Sequence, residues 1–489
     1  MIEAWSADDV RAAEAALMDT LPDGELMARA ATGLAEVAAA RLEESGGSRV
    51  VALVGPGNNG GDVLYAAAQL AEHGFAVAAV RADWPVHEGG LAAAREAGVI
   101  VVGPGQDEGE DWRALLAEAD LVVDGVLGIG GRPGLPEPAQ PWVDAVPDDA
   151  YVLAVDLPSG QDPAGVAAVP DAVFADETVT FGVAKPVHLL PATEPAVGRL
   201  TVVDIGLDVD APPAVQRVTR DDVPSLWPVP TAGDDKYSRG VLGVVAGGEQ
   251  YTGAAVLCCT AAVCSGVGMV RYVGPPTPTG LVRATVPEAV TGEGRVQAWV
   301  VGPGLDTEAG GESAERQLEV AGRALASDLP VLVDAGGLDL VWGQRMAPTL
   351  LTPHAGELAR LLTRLTDREV TREEVQAAPV EHAREAADAT GATVLLKGAT
   401  TLVVPPTSSG LAVRSQNDAP AWLATAGAGD VLAGLAGTLL AAGLDPLDAG
   451  SLAALVHGVA ADDANPGGPL RAMAVAHGIP GTVAALLAR

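Results

Sequence analysis

The amino-acid sequence predicts an α/β protein with two three-layer domains in succession. Three observations point to it. Strand-length apolar runs alternate with Ala-rich helical stretches along nearly all of the 489 residues, the pattern of mostly parallel sheets flanked by helices. The alternation lapses at 207–235, "LDVDAPPAVQRVTRDDVPSLWPVPTAGDD", where Pro and Asp replace periodicity, as happens between domains. Hydrophobic residues make up 48% and aromatics only 3%, so both cores must be built from Ala, Val and Leu. The expected domains are 1–210 and 236–489, with 211–235 as linker and domain entry.

In the first half, strands are expected at 49–55, 76–81, 98–103, 121–128, 151–158, 177–182 and 198–206, and helices at 27–44, 62–74 and 111–119. In the second half, strands are expected at 241–248, 269–274, 298–304, 330–337, 392–398 and 400–406, followed by two helical stretches. The apolar run "AAVLCCTAAVCSGVGMV" at 254–270 is short for a membrane span and reads as a buried helix.

Charge excludes two classes of partner. Twenty-nine basic residues face 64 acidic ones, a net charge of -35, which argues against nucleic acid and against anionic membrane surfaces. The N-terminus, "MIEAWSADDV", has no apolar signal core, so a cytoplasmic protein is expected. Cys258, Cys259 and Cys264 lie in one apolar run without His or acidic neighbours and read as buried thiols. Only three of the basic residues are Lys: Lys185, Lys236 and Lys397. In a chain that otherwise uses Arg, these three positions read as places where a compact ammonium is needed.

"LVGPGNNGGDVLYAAA" at 53–68 carries Gly55, Gly57 and Gly60 at dinucleotide-fingerprint spacing, but Pro56 and two Asn residues crowd the turn. In "LATAGAGDVLAGL", a Gly-rich loop enters a helix, a phosphate-binding arrangement, with Asp430 in the first turn. Asp430 reads as a general base beside that phosphate, kept ionised at neutral pH by the helix end, or as an ordinary first-turn Asp. "LLKGATTLVV" places Lys397, Gly398, Thr400 and Thr401 at a strand end, suited to a phosphate or to a plain hairpin turn. His354 and Glu357 sit on a turn before a helix, where a lone His is more often structural.

Taken together, these motifs resemble a known pair of families. "ELMARAA", "GNNGGD", "VVDGVLGIGGRPG", "AVDLPSGQDPAG", "TVTFGVAKP" and "VVDIGL" resemble the NAD(P)H-hydrate epimerases. "KYSRGVLGVVAGGEQYTGAA", "VVGPGLD", "VLVDAGGLDL", "LLTPHAGE", "LLKGATT" and "LATAGAGDVLAGL" resemble their usual fusion partner, the ribokinase-like NAD(P)H-hydrate dehydratases. The resemblance spans nearly the whole chain. It implies a Rossmann-like first domain and a ribokinase-like second one. The implied activity is repair of NADHX and NADPHX, by epimerisation of the R and S forms and nucleotide-dependent dehydration of the S form, with ADP (or ATP) as co-substrate and Mg2+.

The resemblance also implies site residues. The hydrate would contact Asn58, Asn59, Gly60, Gly61 and Asp62, the segment Gly128, Ile129, Gly130, Gly131, Arg132, Pro133 and Gly134, and Asp156, which would be catalytic. A potassium ion would be held by Asn59, Asp124 and Ser159, oxygen ligands that suit an alkali cation. In the second domain the nucleotide would lie on Lys397, Gly398, Ala399, Thr400, Thr401 and Gly429, and the hydrate on Ala254, Gly304, His354 and the catalytic Asp430. A homo-oligomer is expected. The alternative reading is a ribokinase-type small-molecule kinase fused to a nucleotide-binding regulatory module. An oxidoreductase is weaker: Asp83 lies near the ribose-binding distance, but no segment offers a hydride-transfer site.

Overall fold

The computed structural model describes residues 1–103 and 111–489. The chain divides into two compact units, Glu3–Val215 and Gln216–Arg489, the latter joined by Met1–Ile2. Residues 211–235 are not structureless: Val215–Arg217 form a strand and Val223–Leu226 a short helix.

In the first unit, helix α1 (Glu25–Ser45) precedes strand β1 (Arg49–Val54), and helix α2 (Asn58–Glu72) follows it. Then come β2 (Ala76–Arg81), β3 (Ile100–Val102), β4 (Leu121–Gly125), β5 (Tyr151–Val155), β6 (Glu177–Phe181) and β7 (Arg199–Val203). Their order in the sheet is β3-β2-β1-β4-β5-β6-β7, parallel throughout, which is the doubly wound Rossmann arrangement. Strand alternation loads both faces: Val50, Ala52 and Val54 join one apolar cluster, Val51 and Leu53 the other. The order reverses between β1 and β4, so the connections leaving them diverge and open a crevice at their C-terminal ends. A helix absent from the sequence expectations, Ala7–Met18, starts at Ser6, whose hydroxyl caps Asp9 N at 3.2 Å.

The second unit repeats the plan. Its strands are β8 (Val241–Val245), β9 (Met269–Val273), β10 (Ala289–Thr291), β11 (Ala298–Val301), β12 (Val331–Val333), β13 (Thr349–Leu351), β14 (Thr393–Leu396), β15 (Thr401–Val404) and β16 (Val413–Gln416). They run β16-β15-β14-β13-β12-β11-β8-β9-β10. All pair in parallel except β14–β15 and β15–β16, which are antiparallel hairpins. Leu242 and Val244 pack against helices α3 (Thr252–Cys264), α5 (Ala428–Ala441), α6 (Pro446–Ala464) and α7 (Ala472–Leu487) in one large core. Helix α4 (Ala355–Thr366) follows β13. Of the run 254–270, the part up to Cys264 is a buried helix, whereas Met269 and Val270 already belong to β9; Cys258 and Cys259 are free and buried, and Cys264, at the helix end, is free and only half-buried. Among the described residues no helix is long and apolar enough to cross a membrane.

Candidate active sites

Each unit gathers its polar side chains where parallel sheets place sites, at strand C-termini. In the first unit the turn after β1 is tight: a Cβ on Gly60 would collide with the Gly55 carbonyl, so only glycine fits there. Gly57 (φ 86°) caps α2 without a side-chain bond. Asn58 and Asn59 open the helix. The Asn59 Nδ2 is buried without a partner. Asp62, one turn on, has its carboxyl pushed well up, by burial first and then by Asp156 and Glu14. Across the crevice, a Cβ at Gly128 would lie 2.9 Å from Asp156 Oδ2 and 3.2 Å from Asn59 Oδ1, so these three positions meet. Arg132 and Pro133 are exposed on the same loop. Asp124, fully buried at the end of β4, accepts from Ser159 N (2.8 Å) and Val126 N (3.3 Å). Ser159 Oγ accepts from Leu127 N at 2.8 Å.

Asp156 follows β5 in the left-handed region, φ 68°, a conformation costly for a non-glycine residue and concentrated at functional sites. Its carboxylate joins Lys185 Nζ (2.8 Å) and Thr180 Oγ1 (3.3 Å) through Oδ1, and Ile129 N (2.8 Å) through Oδ2. Lys185 N donates to His188 Nδ1 at 3.0 Å, so Nε2 carries the proton and donates to the Asp156 carbonyl at 2.8 Å. Burial holds His188 neutral, its pKa lowered to about 4. Burial alone would raise the Asp156 carboxyl, but the Lys185 ammonium and the Ile129 amide hold it below the usual range.

In the second unit, Asp334 ends β12 as Asp156 ends β5. Its Oδ1 receives Lys397 Nζ at 2.7 Å and Thr352 Oγ1 at 2.8 Å. Lys397 stands on the β14–β15 turn, 3.7 Å from Glu357. Gly398 and Ala399 are exposed on that turn, with Thr400 and Thr401 behind them. Gly427 (φ 87°) caps α5 with no side-chain bond; Ala428 N donates to Thr425 O at 3.3 Å, so the amides after it in the first turn are the ones open to a ligand. A Cβ on Gly429 would reach Lys397 Nζ at 3.4 Å, so backbone and ammonium face the same space. Ala254 opens α3 beside Gly304, whose added Cβ would lie 2.7 Å from the Ala254 Cβ. Leu257, one turn on, touches the Gly427 region beside Asp430.

Two expectations change. The Asp430 carboxyl is pushed up to about 7, by burial first and then by Asp334, with Lys397 opposing. It is therefore not fully ionised at neutral pH, because burial outweighs the helix end. His354 is the N-cap of α4: its Nδ1 accepts from Gly356 N (3.0 Å) and Glu357 N (3.2 Å), and Glu357 accepts from His354 N (2.8 Å). This is a reciprocal capping box, and it leaves only the Nε2 edge for a ligand. Lys185, Asp334 and Thr352 were absent from the sequence-derived sites. The scarcity of Lys was the available signal for Lys185, while Lys236 lies exposed over the Tyr237 ring at 5.2 Å.

Fold and sites define a two-unit α/β enzyme with one Lys-paired aspartate at a strand end in each unit. Residues 242–474 match the family model described as NAD(P)H-hydrate dehydratase, and 23–187 match that of the YjeF-related protein N-terminus. The chain is 46% identical over 460 residues to the bifunctional NAD(P)H-hydrate repair enzyme Nnr of Mycobacterium tuberculosis, covering 90% of this chain and 89% of that one. It is 43% identical over 476 residues to its namesake from Mycobacterium leprae, covering 94% and 93%. An ADP/ATP-dependent NAD(P)H-hydrate dehydratase from Bacillus subtilis, co-crystallised with ATP/Mg2+, aligns at 26% identity and TM-score 0.49, covering 57% of this chain and 100% of that one. The chain belongs to the bifunctional NAD(P)H-hydrate repair enzyme family.

Proposed function

We propose that the first unit epimerises R and S NAD(P)HX and that the second dehydrates the S form to NAD(P)H at the expense of ADP or ATP. Family membership across both units supports this over a kinase fused to a regulatory module. The observation that carries it is the pair of strand-end aspartates, each with Lys and Thr on one oxygen. In the first unit, Asp156 takes the proton of the 6-hydroxyl as the C6–N1 bond opens, and returns it after the aldehyde rotates and recloses with either configuration. The Gly128–Gly134 loop, tied to Asp156 through Ile129 N, orients the hydrate.

Potassium fits Asn59, Asp124 and Ser159. Asp124 carries one buried carboxyl, pushed up to about 6 chiefly by burial, and Asn59 has an unpartnered buried amide whose oxygen and nitrogen can exchange places. The ion would supply the charge that this carboxyl lacks.

In the second unit, Asp430 removes the hydroxyl proton while the C6 oxygen attacks the terminal phosphate, releasing AMP when ADP is used. The C6–O bond then breaks under push from the ring nitrogen, phosphate leaves and C5 loses a proton, which restores the dihydronicotinamide. Lys397, Gly429 and the Gly398–Thr401 turn position the phosphates. Among the described residues no three His, Cys, Asp or Glu side chains cluster for a metal, so magnesium would arrive on the nucleotide phosphates and neutralise their charge.

The test is incubation of the full chain with separated R and S hydrates, with and without ADP, following the ultraviolet absorbance of the reduced nicotinamide. Recovery from S only with nucleotide, and from R at an enzyme-dependent rate, is expected. Phosphorylation of a small alcohol with no recovery would favour the kinase.

A further inference from the structure

We propose that Lys185 is a positioning residue of the epimerisation site: it sets the Asp156 carboxylate for proton transfer without meeting the substrate. This rests on the reading of Asp156 as the acid–base group. Lys185 is 1% exposed, and its ammonium bonds to Asp156 Oδ1 at 2.8 Å, Thr180 Oγ1 at 2.7 Å and the Phe181 carbonyl at 3.3 Å. These three acceptors use all three donors of the ammonium, and the group is enclosed, so it has nothing left to offer a ligand.

The bonds it makes are directional. Thr180 accepts from Lys185 and donates to Asp156, so two donors converge on Oδ1. Among the described residues, only the Ile129 amide reaches Oδ2, so Oδ2 keeps a free lone pair for a substrate hydroxyl. The backbone is fixed as well, through Asp156 N to the Val179 carbonyl (2.7 Å) and the Asp156 carbonyl to His188 (2.8 Å).

The charges around Asp156 make the ammonium necessary. Glu14, on helix Ala7–Met18, and Asp62, on α2, both act on Asp156 or are acted on by it. Neutral His188 adds no charge, and Arg11 is engaged with the Ile129 carbonyl at 2.7 Å. Lys185 is thus the cation in direct contact with a buried carboxylate that has two acidic neighbours. Without it, that carboxylate is an uncompensated buried charge and Oδ1 loses its stronger anchor.

The experiment uses the full chain with Lys185→Met and measures kcat and KM for R-to-S conversion separately, with dehydration of the S epimer as a control in the same molecule. The expected result is a kcat about 100-fold lower, as for a disabled acid–base group, with KM within about threefold, as when an interaction is lost only in the transition state, and normal dehydration. A near-normal kcat, or a loss confined to KM, overturns the proposal. Thr180→Val carries the test if Lys185→Met does not fold: it keeps the charge and removes one donor to Oδ1, and kcat should fall about tenfold at unchanged KM. An unchanged kcat there overturns the proposal equally. Asp156→Asn separates the two ideas, since persistence of enzyme-dependent conversion in that variant rejects the acid–base reading of Asp156 itself.

Discussion

In the first unit the aspartate held by lysine is also the proposed acid–base group, whereas in the second unit the lysine-paired aspartate and the proposed base are different residues. Asp156 is paired with Lys185 at 2.8 Å, and Asp334 with Lys397 at 2.7 Å, each with a threonine hydroxyl on the same oxygen. Asp430, the candidate base of the second unit, lies beside this pair without an ion-pair partner among the described residues and is pushed up to about 7, chiefly by burial, while Asp156 is held low. The difference teaches that the same local triad can either hold a carboxylate ionised and in place or occupy a lysine. In the second unit the paired Asp334 raises its neighbour, so Asp430 is poised near neutrality, where a general base works best.

The largest effect that would break this comparison is in the first unit. Asp156→Asn should reduce R-to-S conversion to the spontaneous rate and leave dehydration of S intact, as measured on the separated epimers. Next, Asp430→Asn should lower dehydration about 10²–10⁴-fold with nucleotide affinity unchanged. Loss of affinity alone would make Asp430 part of the loop rather than of the chemistry. The pH dependences sharpen the contrast. A base must be ionised, so kcat/KM for dehydration should fall about tenfold per pH unit below about 7, whereas conversion of R should not follow that line, because Asp156 remains charged there. Parallel profiles for the two activities would remove the distinction. The smallest effect is on binding: Lys397→Met should weaken nucleotide affinity about tenfold in a direct titration, with the epimerase half untouched.

Periodicity was enough to read most of the central strands of both sheets, because buried parallel strands such as Arg49–Val54 and Val241–Val245 are nearly continuous Val, Leu and Ala. It was not enough for Thr349–Leu351 or Ala289–Thr291, which are too short to show a period. The motif residues around Asn59, Gly128 and Asp156 lie far apart in sequence yet meet in space, and a motif resemblance could collect them without that geometry. Lys185 and Asp334 were not legible in the same way: their roles exist only as tertiary ion pairs, and composition offered no more than the rarity of lysine. The charge of Asp430 was misread because a helix end contributes only about 0.3–1 kcal/mol, less than the burial opposing it.

That rarity reaches beyond catalysis. Of the three lysines, Lys185 is enclosed, Lys397 is tied to Asp334, and Lys236 stands in the open. The α-amino group of Met1 is itself held by Asp222 at 2.7 Å. Among the three lysines, Lys236 is therefore the one most open to amine-directed reagents, dyes and cross-linkers. The protein can be tethered or tagged through Lys236 with Lys185 and Lys397 left in their ion pairs.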